Sequence, residues 1–200
     1  MSCANRCSRC VGNRSYKPVF VIATEGCLTE PSYFNKFKKG SDVVIEIVKS
    51  GHDSSPERVL KSLKKYLKNR PLDKGEEAWL IIDRDTWPSE QIEDVYRALS
   101  QMRPKGQYHL ALSNPKFEFW ILLHFEDGNG VRTNTDCDQR LKKHLHDYKK
   151  DLSCWHPSIS DVRHAIERAK RMDEKECDWP RNRGTTVYRL VEKLIPQNLL

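Results

Sequence analysis

Three acidic signals each close a short apolar run in this chain. Phe20-Val21-Ile22-Ala23-Thr24 leads into Glu25-Gly26, and Trp79-Leu80-Ile81-Ile82 leads into Asp83-Arg84-Asp85. Leu110-Ala111-Leu112-Ser113 leads into Asn114-Pro115, with Glu118 just beyond. Carboxylates at the ends of successive strands of an α/β sheet converge on one crevice, because ligands bind outside the strands' carboxyl ends. Such a concentration of negative charge usually requires a hard divalent cation with oxygen ligands. The pattern points to metal-dependent chemistry, with phosphodiesters as the expected substrate.

Asp83 and Asp85 are two residues apart, so in extended backbone they face the same way, roughly 7 Å apart at ~3.3 Å per residue. At an effective dielectric near 20 their repulsion is about 2 kcal/mol, a cost that a bound cation turns into a gain. The bland alternative is that they cap the helix after Trp87-Pro88. Glu25 precedes Gly26, which is expected to permit a tight turn. With the aspartates, Glu25 reads as a metal ligand or general base. Glu30 lies beside Pro31, where an acid also suits a helix N-terminus.

Glu118 lies in Asn114-Pro115-Lys116-Phe117-Glu118-Phe119-Trp120, which reads as a helix buried on most faces. An unpaired carboxylate there is costly, so a cation or an arginine partner is expected. Asn114 is expected to cap that helix and share a face with Glu118. Lys116 is a candidate phosphate contact, with a solvated lysine as the alternative. His124, late in the same segment, is a candidate substrate contact, although a histidine there is more often packed or capping than a ligand.

The elements that must position these residues follow from hydropathy spacing. Strands are expected at 18–24, 43–48, 78–83 and 108–113. A short helix is expected near Pro31, and another from Ser54-Ser55-Pro56-Glu57, which combines a hydroxyl cap, a proline and an early acid. Val59, Leu60, Leu63, Tyr66 and Leu67 keep helical spacing, as do Ile92, Val95, Tyr96 and Leu99. A further helix starts near Pro115. The alternation of strand and helix argues for a mainly parallel sheet covered by helices. After Gly128-Asn129-Gly130 the strand signal stops. Helices are expected at 138–150, around Val162-Ala165-Ile166-Ala169, and around Val187-Leu190-Val191-Leu194-Ile195. The expected division is a basic arm at 1–17, an α/β core at 18–127 and a helical extension at 128–200 packed on the core.

No apolar run approaches the ~18 residues of a membrane span. The first residues, Met1 to Arg6, lack the apolar stretch of a signal peptide. Seven cysteines is an odd number for a secreted disulfide framework, so a reducing cytoplasm is expected. The net charge of +7 favours polyanionic partners, nucleic acid first. Basic clusters at Arg6-Arg9-Arg14-Lys17, Lys61-Lys64-Lys65-Lys68-Arg70 and Arg140-Lys142-Lys143-Lys149-Lys150 surround the acidic candidates in sequence. Each alone reads equally well as a solvated face. Cys3, Cys7 and Cys10 have C-x3-C-x2-C spacing, but the downstream chain is too short and wrongly organised for a radical iron–sulfur enzyme. A structural Zn²⁺ there needs a fourth ligand, and a flexible arm is the favoured reading. There is no phosphate-binding P-loop and no Gly-x-Ser-x-Gly elbow.

Taken together, Ala23-Thr24-Glu25-Gly26, Thr29-Glu30-Pro31-Ser32-Tyr33-Phe34, Asp83-Arg84-Asp85, the Asn114–Trp120 stretch with His124-Phe125, and Thr185-Thr186-Val187-Tyr188-Arg189-Leu190-Val191 resemble the RloB-like family. That family is associated with prokaryotic phage resistance and related to Toprim domains, and the resemblance covers roughly residues 18–195. It implies a Toprim-like (Rossmann-like) α/β fold, with a mainly parallel four-stranded sheet flanked by helices and a C-terminal helical extension. It implies Glu25 as ligand or acid/base residue and Asp83 and Asp85 as Mg²⁺ or Mn²⁺ ligands. Glu30 echoes, at a different spacing, the second glutamate of nucleases of the overcoming-lysogenization-defect type, and Glu118 matches their later glutamate. Nothing carries over to the cysteine-rich arm.

The resulting expectation is a cytoplasmic Mg²⁺- or Mn²⁺-dependent nuclease in antiphage defence. Its site is Glu25, Glu30, Asp83, Asp85 and Glu118, with Lys116 and His124 toward substrate. RNA, transfer RNA included, or DNA is cleaved, and an ATPase is the expected partner. One alternative is a nucleic-acid-binding or sensing module whose acids hold a structural ion. A D-x-D phosphatase is less expected, because Trp87 stands where that class wants a small hydroxyl or β-branched residue.

Overall fold

Short, nearly continuous apolar runs become the strands, and period-3.6 runs become the helices that cover them. The computed structural model describes residues 17–51, 55–84, 87–102, 106–146, 148, 150–173 and 177–196. The cysteines and arginines of the N-terminal arm lie outside the described residues, as do Asp85, Ser54 and Lys149. In chain order the elements are β1 (Val19–Thr24), α1 (Thr29–Asn35), β2 (Val44–Lys49), α2 (Pro56–Asn69), β3 (Glu77–Asp83), α3 (Ser89–Ser100), β4 (Gln107–Asn114), α4 (Phe117–Leu122), α5 (Asn134–His144), α6 (Ile159–Met172), β5 (Gly184–Thr185) and α7 (Val187–Leu194).

The sheet runs β2-β1-β3-β4-β5. The first four strands are parallel, and β5 pairs antiparallel with β4. Both faces are covered, which is why β1 and β3 read as nearly continuous apolar runs. Phe20, Ile22, Trp79, Ile81 and Ala111 face one core, shared with residues of α1, α4, α6 and α7. Val21, Ala23, Leu80, Ile82 and Leu112 face the other, packed by Val59, Leu63, Ile92 and Val95 of α2 and α3. The strand periodicity thus sorts alternate residues onto two helical layers. No helix among the described residues is long and apolar enough to cross a membrane.

Four local expectations need correction. The sheet has a fifth strand, which the sequence pattern missed because two residues carry no periodicity. It is held by side chains as well as pairing: Thr186 Oγ1 accepts the Leu112 N–H at 3.0 Å, and Ser113 and Thr185 share a hydroxyl bond at 2.9 Å. Asn114 is not a helix cap. It is the last residue of β4, precedes a cis peptide to Pro115, and donates to the Arg181 carbonyl. The cap position of α4 belongs to Lys116, so Asn114 and Glu118 do not share a helix face. Helix α5 occupies 134–144 rather than 138–150, because Thr133 and Asp136 form a reciprocal capping box at its start. Ser55 takes the cap position of α2 with no side-chain cap bond.

Candidate active site

The strand order reverses at β1, with β2 on one side and β3 on the other. The crevice at the carboxyl ends of β1 and β3 is therefore the topological switch point, where α/β sheets bind ligands. Glu25 follows β1 directly, and its N–H extends the β1–β3 ladder by donating to the Ile81 carbonyl at 3.2 Å. Its Oε2 accepts the Asp83 N–H at 3.0 Å, which ties the two acidic signals together. Ser50 at the end of β2 donates to the Glu25 carbonyl, and Thr24 Oγ1 donates to the Gly26 carbonyl.

Glu30 lies in the first turn of α1 and is buried. Its Oε1 accepts the Gly26 N–H at 2.8 Å. Gly26 is not among the glycines with positive φ, so the left-handed freedom of glycine is not what this position uses. The residue is small because a Cβ there would stand 2.2 Å from Glu30 Oε2 and 2.7 Å from Oε1.

Glu118, in the first turn of α4, is buried and accepts the Tyr148 hydroxyl at 2.8 Å. Lys116 Nζ stands 3.9 Å from Glu118 and 2.7 Å from Asp138. The expected arginine partner is thus replaced by a tyrosine and a lysine. Glu25, Glu30, Asp83, Lys116, Glu118 and Lys150 line one cavity of ≈ 380 Å³. Four acids separated in sequence by up to 93 residues (118 − 25) meet there.

The electrostatics are dominated by burial. Asp83 as a residue is half-buried, yet its Oδ1 has no solvent contact and no hydrogen-bond partner among the described residues. Burial, then the charges of Glu30, Glu25 and Glu118, push its carboxyl well above the ordinary value; the Phe117 N–H opposes them. Burial likewise raises Glu30, against the Gly26 N–H. Burial lowers the proton affinity of Lys116, but Glu118 and Asp138 outweigh it and leave the ammonium above its ordinary value.

A buried carboxylate oxygen with no partner among the described residues, beside three further carboxylates, is the donor chemistry that suits a hard divalent cation. Glu25, Glu30, Asp83 and Glu118 are the described residues that would hold one. They are not gathered into a finished cage: among the described residues no three His, Cys, Asp or Glu side chains stand in a ligating group. The reason is visible in their partners. Glu25 is turned to the Asp83 N–H, Glu30 to the Gly26 N–H, and Glu118 to Tyr148.

His124 does not join the site. It is buried in the core, with one ring nitrogen on the Tyr33 hydroxyl and the other near the Trp120 and Ile121 carbonyls. Burial lowers it to about 4, so it is a neutral packing histidine at pH 7. Sequence reasoning overlooked Thr29 and Tyr148. Thr29 Oγ1 donates to the Lys150 carbonyl at 2.9 Å and lies 3.2 Å from the Tyr148 hydroxyl. Lys150 itself sits at φ +65°, a left-handed conformation uncommon outside glycine. No local signal marks these contacts, which join residues 119 and 121 positions apart.

A model of the RloB-like protein family matches residues 20–194, from β1 through α7. The chain belongs to the RloB-like family. The matched span contains every residue that lines the carboxylate cavity of this RloB-like chain. No curated protein and no solved structure gives a significant match.

Proposed function

We propose that this RloB-like chain is a divalent-metal-dependent nuclease that hydrolyses phosphodiester bonds of RNA or DNA. The observation that carries the reading is the convergence of Asp83 and three glutamates on one cavity at the β1–β3 switch point, with a buried Asp83 Oδ1 that has no hydrogen-bond partner among the described residues. A bound Mg²⁺ or Mn²⁺ would supply Lewis acidity and a water of lowered pKa. Glu25, anchored on the Asp83 N–H, keeps the two acids in register. Glu30, whose proton affinity burial raises, is suited to accept a proton from an attacking water. Lys116 and Lys150, lining the same cavity, supply the positive charge that phosphates require.

Kinship with Toprim domains, cytoplasmic action in antiphage defence and an ATPase partner belong to the same proposal; they rest on the family. One observation favours a binding module instead: each glutamate of the cluster already has a protein donor.

Labelled transfer RNA, single-stranded RNA and duplex DNA, incubated with Mg²⁺ or Mn²⁺, separate the two. Wild type should cleave at least one substrate, and Asp83→Asn and Glu25→Gln should each lose about 100-fold or more while remaining folded. No cleavage by any of the three proteins, with equal nucleic-acid binding, would establish the binding module.

A further inference from the structure

A second cavity, of ≈ 280 Å³, opens beside the carboxylate site. Leu145 and Leu152 give it an apolar lining, Tyr148 and Trp155 two aromatic side chains, and His146 and Asp151 polar groups at exposed positions. Trp155 is half-buried and held in place by ring contacts with Tyr33, at 6.3 Å between centroids, and Phe125, at 5.6 Å. Tyr148 bridges the two cavities: it lines the second, and its hydroxyl donates to Glu118, which lines the first. Any occupant is therefore one tyrosine side chain away from the carboxylates.

The volume sits just below the usual ligand-pocket range of about 300–1,000 Å³. That is room for one planar ring system. Aromatic faces with hydrogen-bonding groups around them are how proteins hold unstacked bases of single strands. A base inside a duplex is stacked on both faces and cannot reach a half-buried tryptophan. We propose that this cavity is the subsite for one unstacked nucleobase next to the bond to be cleaved. The substrate class is then single-stranded RNA or DNA, or a looped-out strand, rather than continuous duplex. The inference rests on the nuclease reading of the adjoining carboxylates and narrows its substrate.

The test measures binding without divalent metal, then cleavage with Mn²⁺, on one short sequence as single-stranded RNA, single-stranded DNA and duplex DNA. Trp155→Leu keeps an apolar side chain against Tyr33 and Phe125 but removes the flat face. It should weaken single-strand binding about 10- to 100-fold and leave duplex binding unchanged. His146→Ala, at an exposed position, should weaken it about three- to tenfold and serves if Trp155→Leu fails to fold. The RNA and DNA strands tell which sugar is accepted.

Equal single-strand affinity in wild type and both variants, or a duplex bound as tightly as the single strands, would overturn the subsite. Cleavage of duplex as fast as single strands, untouched by Trp155→Leu, would also overturn it while leaving the nuclease reading intact. Absence of all cleavage, with the single-strand preference and its loss in Trp155→Leu retained, would sink the nuclease reading and support the subsite.

Discussion

Gly26→Ala separates two opposing effects whose sizes can be worked out from the structure. The Gly26 backbone lies outside the positive-φ region, so alanine fits its conformation. Stiffening the unfolded chain would by itself stabilise the protein by about 0.4–1 kcal/mol. Against this, the new Cβ would stand 2.2 Å and 2.7 Å from the two carboxylate oxygens of Glu30. Glu30 is bonded to the Gly26 N–H, so its carboxylate must give up that bond and shift toward the cavity to make room. Losing that charge-assisted hydrogen bond costs about 1.5–3 kcal/mol, and residual overpacking adds about 1 kcal/mol or more. The second effect wins, with a net destabilisation of about 2–3 kcal/mol. For a chain of this size that is a drop in melting temperature of about 5–10 °C.

Glu30→Ala removes the obstacle, and in that background Gly26→Ala should change sign and stabilise by a few tenths of a kcal/mol or more. Urea unfolding of wild type, both single variants and the double variant, followed by far-UV circular dichroism, closes the cycle. A Gly26→Ala cost that is the same with and without the Glu30 carboxylate would refute the packing explanation. A loss of metal-dependent cleavage in Gly26→Ala, through displaced Glu30, is the expected functional counterpart.

Asp83 and His124 give two further predictions of opposite sign in pH. Burial and then Glu30, Glu25 and Glu118 raise the Asp83 carboxyl, so its contribution is full below the unfolded value of about 3.9 and is lost as pH rises through the raised value. Metal-free wild type should therefore lose stability relative to Asp83→Asn as pH rises above about 3.9, measured in chelator; a pH-independent difference would refute the buried-charge account. Burial lowers His124 from 6.5 to about 4, so its contribution is present above pH 6.5 and lost as pH falls toward 4, a span worth about 3 kcal/mol. His124→Phe should abolish that acid sensitivity and cost about 1–3 kcal/mol by stranding the Tyr33 hydroxyl. It should change cleavage by less than about twofold; a larger kinetic effect at unchanged stability would return His124 to the site.

The amino-acid sequence by itself determined the main strands, the helices between them, and the acidic residues at the ends of β1 and β3. Those features are local. An apolar run buried on both faces must look continuous, as in Trp79-Leu80-Ile81-Ile82, and a one-sided helix must repeat its apolar residues, as in Val59-Leu60-Leu63-Leu67. Once β1 and β3 are neighbours in a parallel sheet, Glu25 and Asp83 have to meet, because both strands end at the same edge. Tertiary structure alone decided the rest. Gly26 reads as a turn glycine until Glu30 is folded back onto it. His124 could be a substrate contact or a packed histidine until Tyr33, Trp120 and Trp155 close around it. The second wall of the site, with Thr29 on Lys150 and Tyr148 on Glu118, joins segments that share no pattern. Periodicity reports only which side of an element is buried; it carries no information about which distant side chain will be found there.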